Sequence, residues 1–180
     1  MRFRELEITH LKKPSRLSVF VAKKLSNLKY KKMKSIFNKA NNQEIITRIQ
    51  KLSPHSQAMW GKMNVDQMLK HCNDVILVAF NEKALNVPFI FRILGRMMKG
   101  SVLKQPEFAK NSQTAKEFKY TENFDFETVK NELITNFSRF HQGEQAIKCT
   151  NHPFWGKMNA EEWNNLQWKH VDHHLRQFGV

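Results

Sequence analysis

The chain is poor in cysteine, the residue that holds many small secreted proteins together. It has only two among its 180 residues, Cys72 and Cys149, and no C-x-x-C pair. This scarcity argues against a disulfide framework or a thiolate zinc site. Near the N-terminus, polar residues interrupt every apolar stretch and no A-x-A-like cleavage site follows, which argues against a secretory signal peptide. We therefore expect a protein of the reducing cytoplasm.

Long apolar runs, glycine and proline are also scarce. The longest wholly apolar stretch, VILVAF from Val75 to Phe80, is far shorter than the roughly 20 residues that cross a bilayer. We therefore expect no membrane span. Six glycines and five prolines accompany 41% hydrophobic residues, a composition that favours a packed domain rich in helix.

Acidic residues are few, with 16 Asp or Glu against 30 Lys or Arg and a net charge of +14. Such a balance ordinarily indicates nucleic acid or an anionic membrane as a partner. Residues 1–32, however, hold ten Lys or Arg against Glu5 and Glu7, more than half of the excess. No recognition motif accompanies this charge, so salt-sensitive nucleic-acid binding through the segment is the weakest functional hypothesis.

Two regions follow from this distribution. We expect residues 1–32 to be a basic N-terminal extension, disordered or a surface-binding arm, and residues 33–180 to form one domain. The apolar patch LSVFVA between basic clusters is typical of a surface-binding arm. The alternative is that translation starts at Met33 and that the extension is a start-site artefact, which the intact mass of the native protein would decide.

Apolar residues recur at helical spacing in five segments of the domain. Residues 104–123 are polar and weakly periodic, and predict a long loop that crosses the molecule. The predicted helices begin with Asn42, Asn64, Pro88, Asp125 and Asn159, and the last two end at Gly143 and about Phe178.

The third predicted helix, PFIFRILGRMMKGSVL, combines apolar and basic residues. Its periodicity predicts a buried apolar side and a separate basic side, and Gly100 is expected to help end it. The residues expected to pack are Ile90, Ile93, Leu94, Met97 and Met98, and the basic ones are Arg92, Arg96 and Lys99.

Together these elements predict an all-α fold, because no stretch is a convincing strand. Four or five amphipathic helices joined by one long crossover are typical of an antiparallel helix bundle. Dimerisation is common in such bundles, although no exposed stripe in the sequence demands a homodimer.

The last helix carries three of the eight histidines within the segment KHVDHHLRQFG. At 100° per residue, Trp163, His170 and His174 fall within about 20° of one line, whereas His173 lies about 80° to the side. Histidines four residues apart can bind one divalent ion with bonds of about 2.0–2.1 Å. His71, at the edge of the apolar face of the second helix, is the best-placed third ligand, but spacing alone also permits core histidines that bond carbonyls or carboxylates.

The remaining candidates have simpler explanations. His55, His141 and His152 lie in or beside turns and are expected to be surface or loop residues. Cys72 is expected to be a small buried apolar residue rather than a nucleophile.

The segments WGKMNVDQMLKHCNDVI and HPFWGKMNAEEWNNLQWKHVDHHLRQFG resemble the DinB and YfiT superfamily of metalloenzymes. More closely, about residues 38–178 resemble its uncharacterised branch, domain-of-unknown-function family fifteen sixty-nine. The resemblance implies a DinB-like four-helix bundle of up-down-down-up topology and a divalent ion, zinc or nickel, held by His71, His170 and His174. It gives His173 no ligand role, which leaves it beside the ligands or at the surface.

Characterised relatives include thiol-dependent transferases and isomerases, in which the metal lowers the pKa of a low-molecular-weight thiol. The leading hypothesis is therefore a metal-dependent enzyme that activates a thiol or water for a small-molecule substrate, as an S-transferase or a hydrolase does. The alternative is a non-catalytic metal-binding or stress-related bundle in which the ion only stabilises the fold.

Further residues near the predicted ligands have candidate roles. Asp74 is expected to be a partner of the ligands, a proton acceptor or a solvated carboxylate. Arg176 and Gln177 are candidates for orienting a substrate carboxylate or closing the site, although the helix dipole also explains Arg176. The mouth of the site is expected to include tryptophans that otherwise serve packing, namely Trp60, Trp155 and Trp168.

Overall fold

A computed structural model describes residues 34–180. The predictions made for residues 1–32 and for a start at Met33 lie outside these residues. The described chain is mostly helical, with short 3-10 turns between the long helices and one small hairpin. The helices are α1 (Lys39–Gln50), α2 (Val65–Ala79), α3 (Phe89–Lys104), α4 (Phe126–Ser138) and α5 (Ala160–Gln177).

Within residues 34–180, none of these helices combines the length and apolarity that crossing a membrane requires.

Side-chain caps begin four of the helices. Asn64 with Gln67 and Asn159 with Glu162 form complete capping boxes at α2 and α5, and Asp125 caps α4 by accepting from the Thr128 N–H. These three predicted caps are confirmed. Each satisfies backbone N–H groups that a helix start leaves without partners.

The predicted cap of the first helix is wrong. Asn38 caps α1, which begins one turn earlier than predicted. Asn42 is buried inside the helix, and its amide donates to the carbonyls of Ile36 and Phe137. A buried amide with two acceptors ties the N-terminal turn to α4, a role that helical periodicity does not distinguish from capping.

The core lies between α1, α2, α4 and α5. Helix α4 packs against α1 and α2, and α5 packs against the same two helices. Cys72 is buried there as predicted, and both described cysteines are unpaired. The largest fully buried side chains include Trp163, Phe137, Phe140, Met68, Leu69 and Leu175.

Helix α3 lies differently from its prediction. The five residues expected to pack, Ile90, Ile93, Leu94, Met97 and Met98, are all exposed. Instead Gly95 and Leu103 are buried, and the helix continues past Gly100 to Lys104. Helix α3 contacts α5 and the hairpin.

The prediction that the domain lacks strands is wrong in one place. Residues Asn151–His152 (β1) and Gly156–Lys157 (β2) pair antiparallel, with His152 opposite Gly156. The predicted long loop is present between α3 and α4 and holds one 3-10 turn, Lys116–Phe118. This turn packs against α2, beside His71.

Candidate metal centre

Three imidazoles meet between two helices. His71 comes from the middle of α2, and His170 and His174 come from successive turns of α5. Because α2 and α5 pack together, the rings converge, with centroids 4.8–4.9 Å apart. Ring nitrogens of all three residues lie within 4.8 Å of one another.

Hydrogen bonds orient two of the rings. The Nδ1 of His71 lies 3.0 Å from the carbonyl oxygen of Phe118, and Nδ1 of His174 lies 2.8 Å from Oε1 of Gln177. Both oxygens accept, so each Nδ1 carries the proton and each Nε2 keeps its lone pair. The Nε2 atoms of His71 and His170 are 2.9 Å apart. The lone pairs are therefore directed toward a shared space.

Burial keeps these imidazoles neutral. Desolvation lowers the pKa of His71 to about 4 and that of His174 to about 3. For His170, desolvation and then the neighbouring imidazoles hold the pKa well below its ordinary value. A neutral imidazole is the form that binds a metal.

The donor set fits a divalent ion. Two nitrogens bound to one ion at about 2.0–2.1 Å lie at most about 4.2 Å apart, and the Nε2 atoms of His71 and His170 satisfy this limit at 2.9 Å. The ligand nitrogens of all three residues lie within 4.8 Å of one another, slightly beyond this limit. Nδ1 of His170 is buried without a hydrogen-bond partner in the described chain, so this ring is the least constrained of the three.

The histidines form one wall of a cavity of about 720 Å³. Its size is in the range of pockets that bind small molecules. Most of the other walls are apolar, and the loop before α4 supplies part of the lining. Residues that line the cavity include Val75, Leu85, Phe91, Phe108, Phe118 and Phe154.

His152 is also part of the cavity wall, although the sequence placed it at the surface or in a loop. It is buried in β1, and burial lowers its pKa to about 4. The backbone N–H groups of Phe154 and Trp155 donate to its Nδ1. The ring is therefore the Nε2–H tautomer. The HP dipeptide and Gly156 signal a turn at this position, but they do not indicate the cavity.

His173 lies beside the three histidines and is not part of the converging group. It is buried, lines the cavity and packs edge-on against Trp60 and Phe108. Burial, and then the charge of Arg176, lower its pKa. It is thus a wall of the site rather than a surface residue.

Asp74 makes no hydrogen bond to the three imidazoles. Its buried carboxylate pairs with Lys70 at 2.9 Å and Lys83 at 2.6 Å, and it accepts from the hydroxyl of Tyr120. Asp74 is not the hydrogen-bond partner of His71, and its carboxylate is not solvated, although both were among the roles predicted for it. The partner of His71 is the backbone carbonyl of Phe118, which no side-chain pattern could have indicated.

Arg176 and Gln177 have different surroundings. Arg176 bonds Glu107 and Asp172 and is not part of the cavity wall. Gln177 bonds Nδ1 of His174 and also donates to the carbonyl of Trp60. Of the two, only Gln177 supports the candidate centre.

The three tryptophans that we predicted at the mouth of the site have different surroundings. Trp155 lines the cavity. Trp60 packs against His173 and Lys110, whereas Trp168 is buried beside Lys34. Of the three tryptophans predicted to lie at the site, only Trp155 lines the cavity.

Comparison with known proteins gives a match to a protein family but none to an individual protein. No curated protein and no solved structure matches the chain. A family model described as "Protein of unknown function (DUF1569)" matches residues 30–179. This range contains all three converging histidines, the whole cavity and every described helix. The chain therefore belongs to the DUF1569 family.

Proposed function

We propose that this protein is a divalent-metal-dependent enzyme with a DinB-like four-helix bundle, in which His71, His170 and His174 hold the ion. The observation that carries the proposal is the convergence of three neutral imidazoles on one wall of a cavity. The helices around the core, α1, α2, α4 and α5, supply the four members that an up-down-down-up bundle requires. Zinc or nickel is the expected ion, because imidazole suits both.

When bound, a divalent ion held by neutral ligands keeps its full positive charge and lowers the pKa of a bound thiol or water. The chain supplies the surroundings for that chemistry. Phe118 and Gln177 hold His71 and His174 in the tautomers that present Nε2. The apolar walls exclude water from the reacting groups, and His152 offers an Nε2–H donor to a substrate carbonyl or leaving group.

The cavity favours an enzyme over a metal site that only stabilises the fold. Purely structural zinc sites are closed by four protein ligands, whereas catalytic sites keep three and leave one position open. The described chain brings together three candidate ligands, and His170 is partly exposed to the cavity. A small molecule, such as a low-molecular-weight thiol and its electrophile, would reach the ion from this side.

Metal content is the first test. Untagged wild-type protein should contain about one equivalent of zinc or nickel by elemental analysis, and His170→Ala and His174→Ala should lose it while their circular dichroism remains helical. The matched control is His141→Ala, which removes an exposed histidine outside the cavity. No metal in the wild type after reconstitution, or equal loss in His141→Ala, would refute the site.

A second measurement separates an enzyme from a structural metal site. In protein reconstituted with cobalt, adding a small thiol should shift the visible absorption bands if one coordination position exchanges. A spectrum unchanged by thiols, azide and other small ligands would support the non-catalytic alternative. A shift would justify assays of thiol transfer and of hydrolysis.

A further inference from the structure

Helix α3 presents its apolar side to the solvent. Seven of its large apolar side chains are exposed, among them Phe89 at 74% and Met97 at 77%. Among the described residues, the only other exposed large hydrophobic side chain is Met59. A contiguous exposed apolar surface of this kind marks an interaction site in a folded protein.

Contacts on the opposite side fix this orientation. Gly95 lies directly against Phe154, where a β-carbon would overlap. Lys99 pairs with Glu162 of α5 at 2.7 Å and donates to the carbonyl of Lys157. Lys169 donates to three carbonyls at the C-terminal end of the helix, those of Val102, Leu103 and Gln105. Because Gly95, Lys99 and the C-terminal turn attach the helix to the domain, the seven exposed apolar residues face outward.

The charge of α3 indicates what covers this surface. The helix has no acidic residue, and with Lys99 paired to Glu162 it keeps three further basic residues, Arg92, Arg96 and Lys104. An amphipathic helix with aromatic and aliphatic residues on one face and basic residues on the other is typical of helices that lie in the interface of an anionic bilayer. We propose that α3 docks this protein on an anionic lipid surface, with Phe89, Ile90, Ile93, Leu94 and Met97 inserted among the lipids.

A second copy of the chain fits this surface less well. Lys99 is paired with Glu162, but two α3 helices brought face to face would still bring together Arg92, Arg96 and Lys104 of each copy, with no acidic residue of either helix to pair with them. The net charge of +14 on each chain adds to this repulsion. Anionic lipid headgroups supply the opposite charge.

Docking would also bring the cavity to the membrane. Phe91 is half exposed on α3 and at the same time lines the cavity. A docked α3 therefore sets one cavity wall against the bilayer, while the three histidines lie on another part of the lining.

The test is co-sedimentation of the full chain with vesicles of phosphatidylcholine, with and without phosphatidylglycerol. Wild-type protein should sediment with the anionic vesicles and remain in solution with the neutral ones. Met97→Glu should weaken binding by about tenfold or more, because it removes an inserted apolar side chain and adds a negative charge. Met59→Glu is the matched control, since it makes the same change at a side chain that is 64% exposed outside α3, and it should bind within about twofold of the wild type.

Phe89→Glu, at another exposed position on α3, should repeat the effect of Met97→Glu, and circular dichroism should show both variants folded. Failure of the wild type to bind anionic vesicles would overturn the proposal, as would equal binding to neutral vesicles or unchanged binding by both α3 variants. A different result would assign the surface to a second copy instead. In that case light scattering would show that the wild type is a dimer and that Met97→Glu is a monomer, and co-sedimentation would show that neither binds vesicles.

Discussion

Gln177 joins two parts of the candidate centre through one amide. Its Oε1 accepts from Nδ1 of His174, and its Nε2 donates to the carbonyl of Trp60. The approach requires Gly61, which has a φ of +87° and whose β-carbon would overlap the Gln177 amide. Hydrogen bonds of this kind raise the basicity of a ligand imidazole and fix its ring.

Replacing Gln177 by leucine should therefore weaken metal binding. His174 would lose the acceptor that selects its tautomer, and we expect affinity for zinc to fall by about 10- to 100-fold. Competition with a chromophoric chelator measures this affinity. Gln43→Leu, an exposed position on α1, should leave it unchanged, and an unaltered affinity in Gln177→Leu would show that the amide serves only the fold.

The buried carboxylate of Asp74 neutralises two lysines. Burial raises its pKa, but hydrogen bonds from Lys83, Tyr120 and Lys70 outweigh burial and hold the pKa below its ordinary value of 3.8. Burial and the same carboxylate raise the pKa of Tyr120. The cluster connects α2 to the loop that carries Phe118, the carbonyl partner of His71.

Asp74→Asn should lower the free energy of unfolding by about 2–4 kcal/mol at neutral pH, because the lysines lose their partner. A carboxyl whose pKa is lowered by folding stabilises the protein above its unfolded pKa, and this contribution is lost as the pH falls through the folded pKa. The difference from wild type should thus be constant above about pH 5 and shrink below about pH 4. Urea unfolding at several pH values measures it, with the exposed helix cap Asp125→Asn as a control that should change little.

Among the helices, α3 depends for its position on Gly95, a residue without a side chain. Gly95 permits the helix to lie against the backbone and ring of Phe154 in the hairpin that carries His152. Gly100, further along the same helix, has no neighbouring atom within 4 Å of the position that a β-carbon would take. The two glycines of one helix therefore differ only in what surrounds them.

Gly95→Ala should destabilise the protein by about 1–3 kcal/mol, because α3 must move away from Phe154. Gly100→Ala should instead stabilise it by about 0.5–1 kcal/mol, since alanine is the better helix former and meets no neighbour. Urea denaturation of the two variants checks both signs. Equal effects would mean that α3 does not pack on the hairpin through Gly95.

At the scale of the molecule, the candidate centre connects helices that are distant in the sequence. His71 of α2 and His170 of α5 are 99 positions apart, and the core surrounds them. An ion bound only by the folded chain stabilises that chain by mass action.

Thermal unfolding should therefore depend on metal. Saturating zinc, at about 100 times its dissociation constant, should add about 2.7 kcal/mol to the free energy of unfolding and raise Tm relative to protein with a chelator. His170→Ala should abolish this difference, whereas His55→Ala, an exposed residue outside the cavity, should retain it. A Tm that is the same with and without zinc in wild-type protein would contradict the three-histidine site.

Local patterns predicted much of this arrangement. Caps at Asn64, Asp125 and Asn159 could be recognised because each depends on residues within one turn. The pair His170 and His174 could be recognised because helical spacing alone puts both on one face, and His71 followed from the apolar face of α2. The Phe118 carbonyl and the cavity position of His152 could not be recognised, because a 3-10 turn and a two-residue strand bring them there. Segments this short show no periodicity.

The order of the amino acids was enough to predict that the chain is mostly helical, where most helices begin, and that His170 and His174 share one face, since all of these follow from spacing along single helices. Their meeting with His71 depends on the packing of α2 against α5. Which side of α3 is buried depends instead on contacts with segments distant in the sequence. Its apolar period predicts an apolar face but contains no information about direction, and the contacts of Gly95 and Lys169 turn that face outward. Packing between distant segments, rather than local preference, set the environment of the candidate centre.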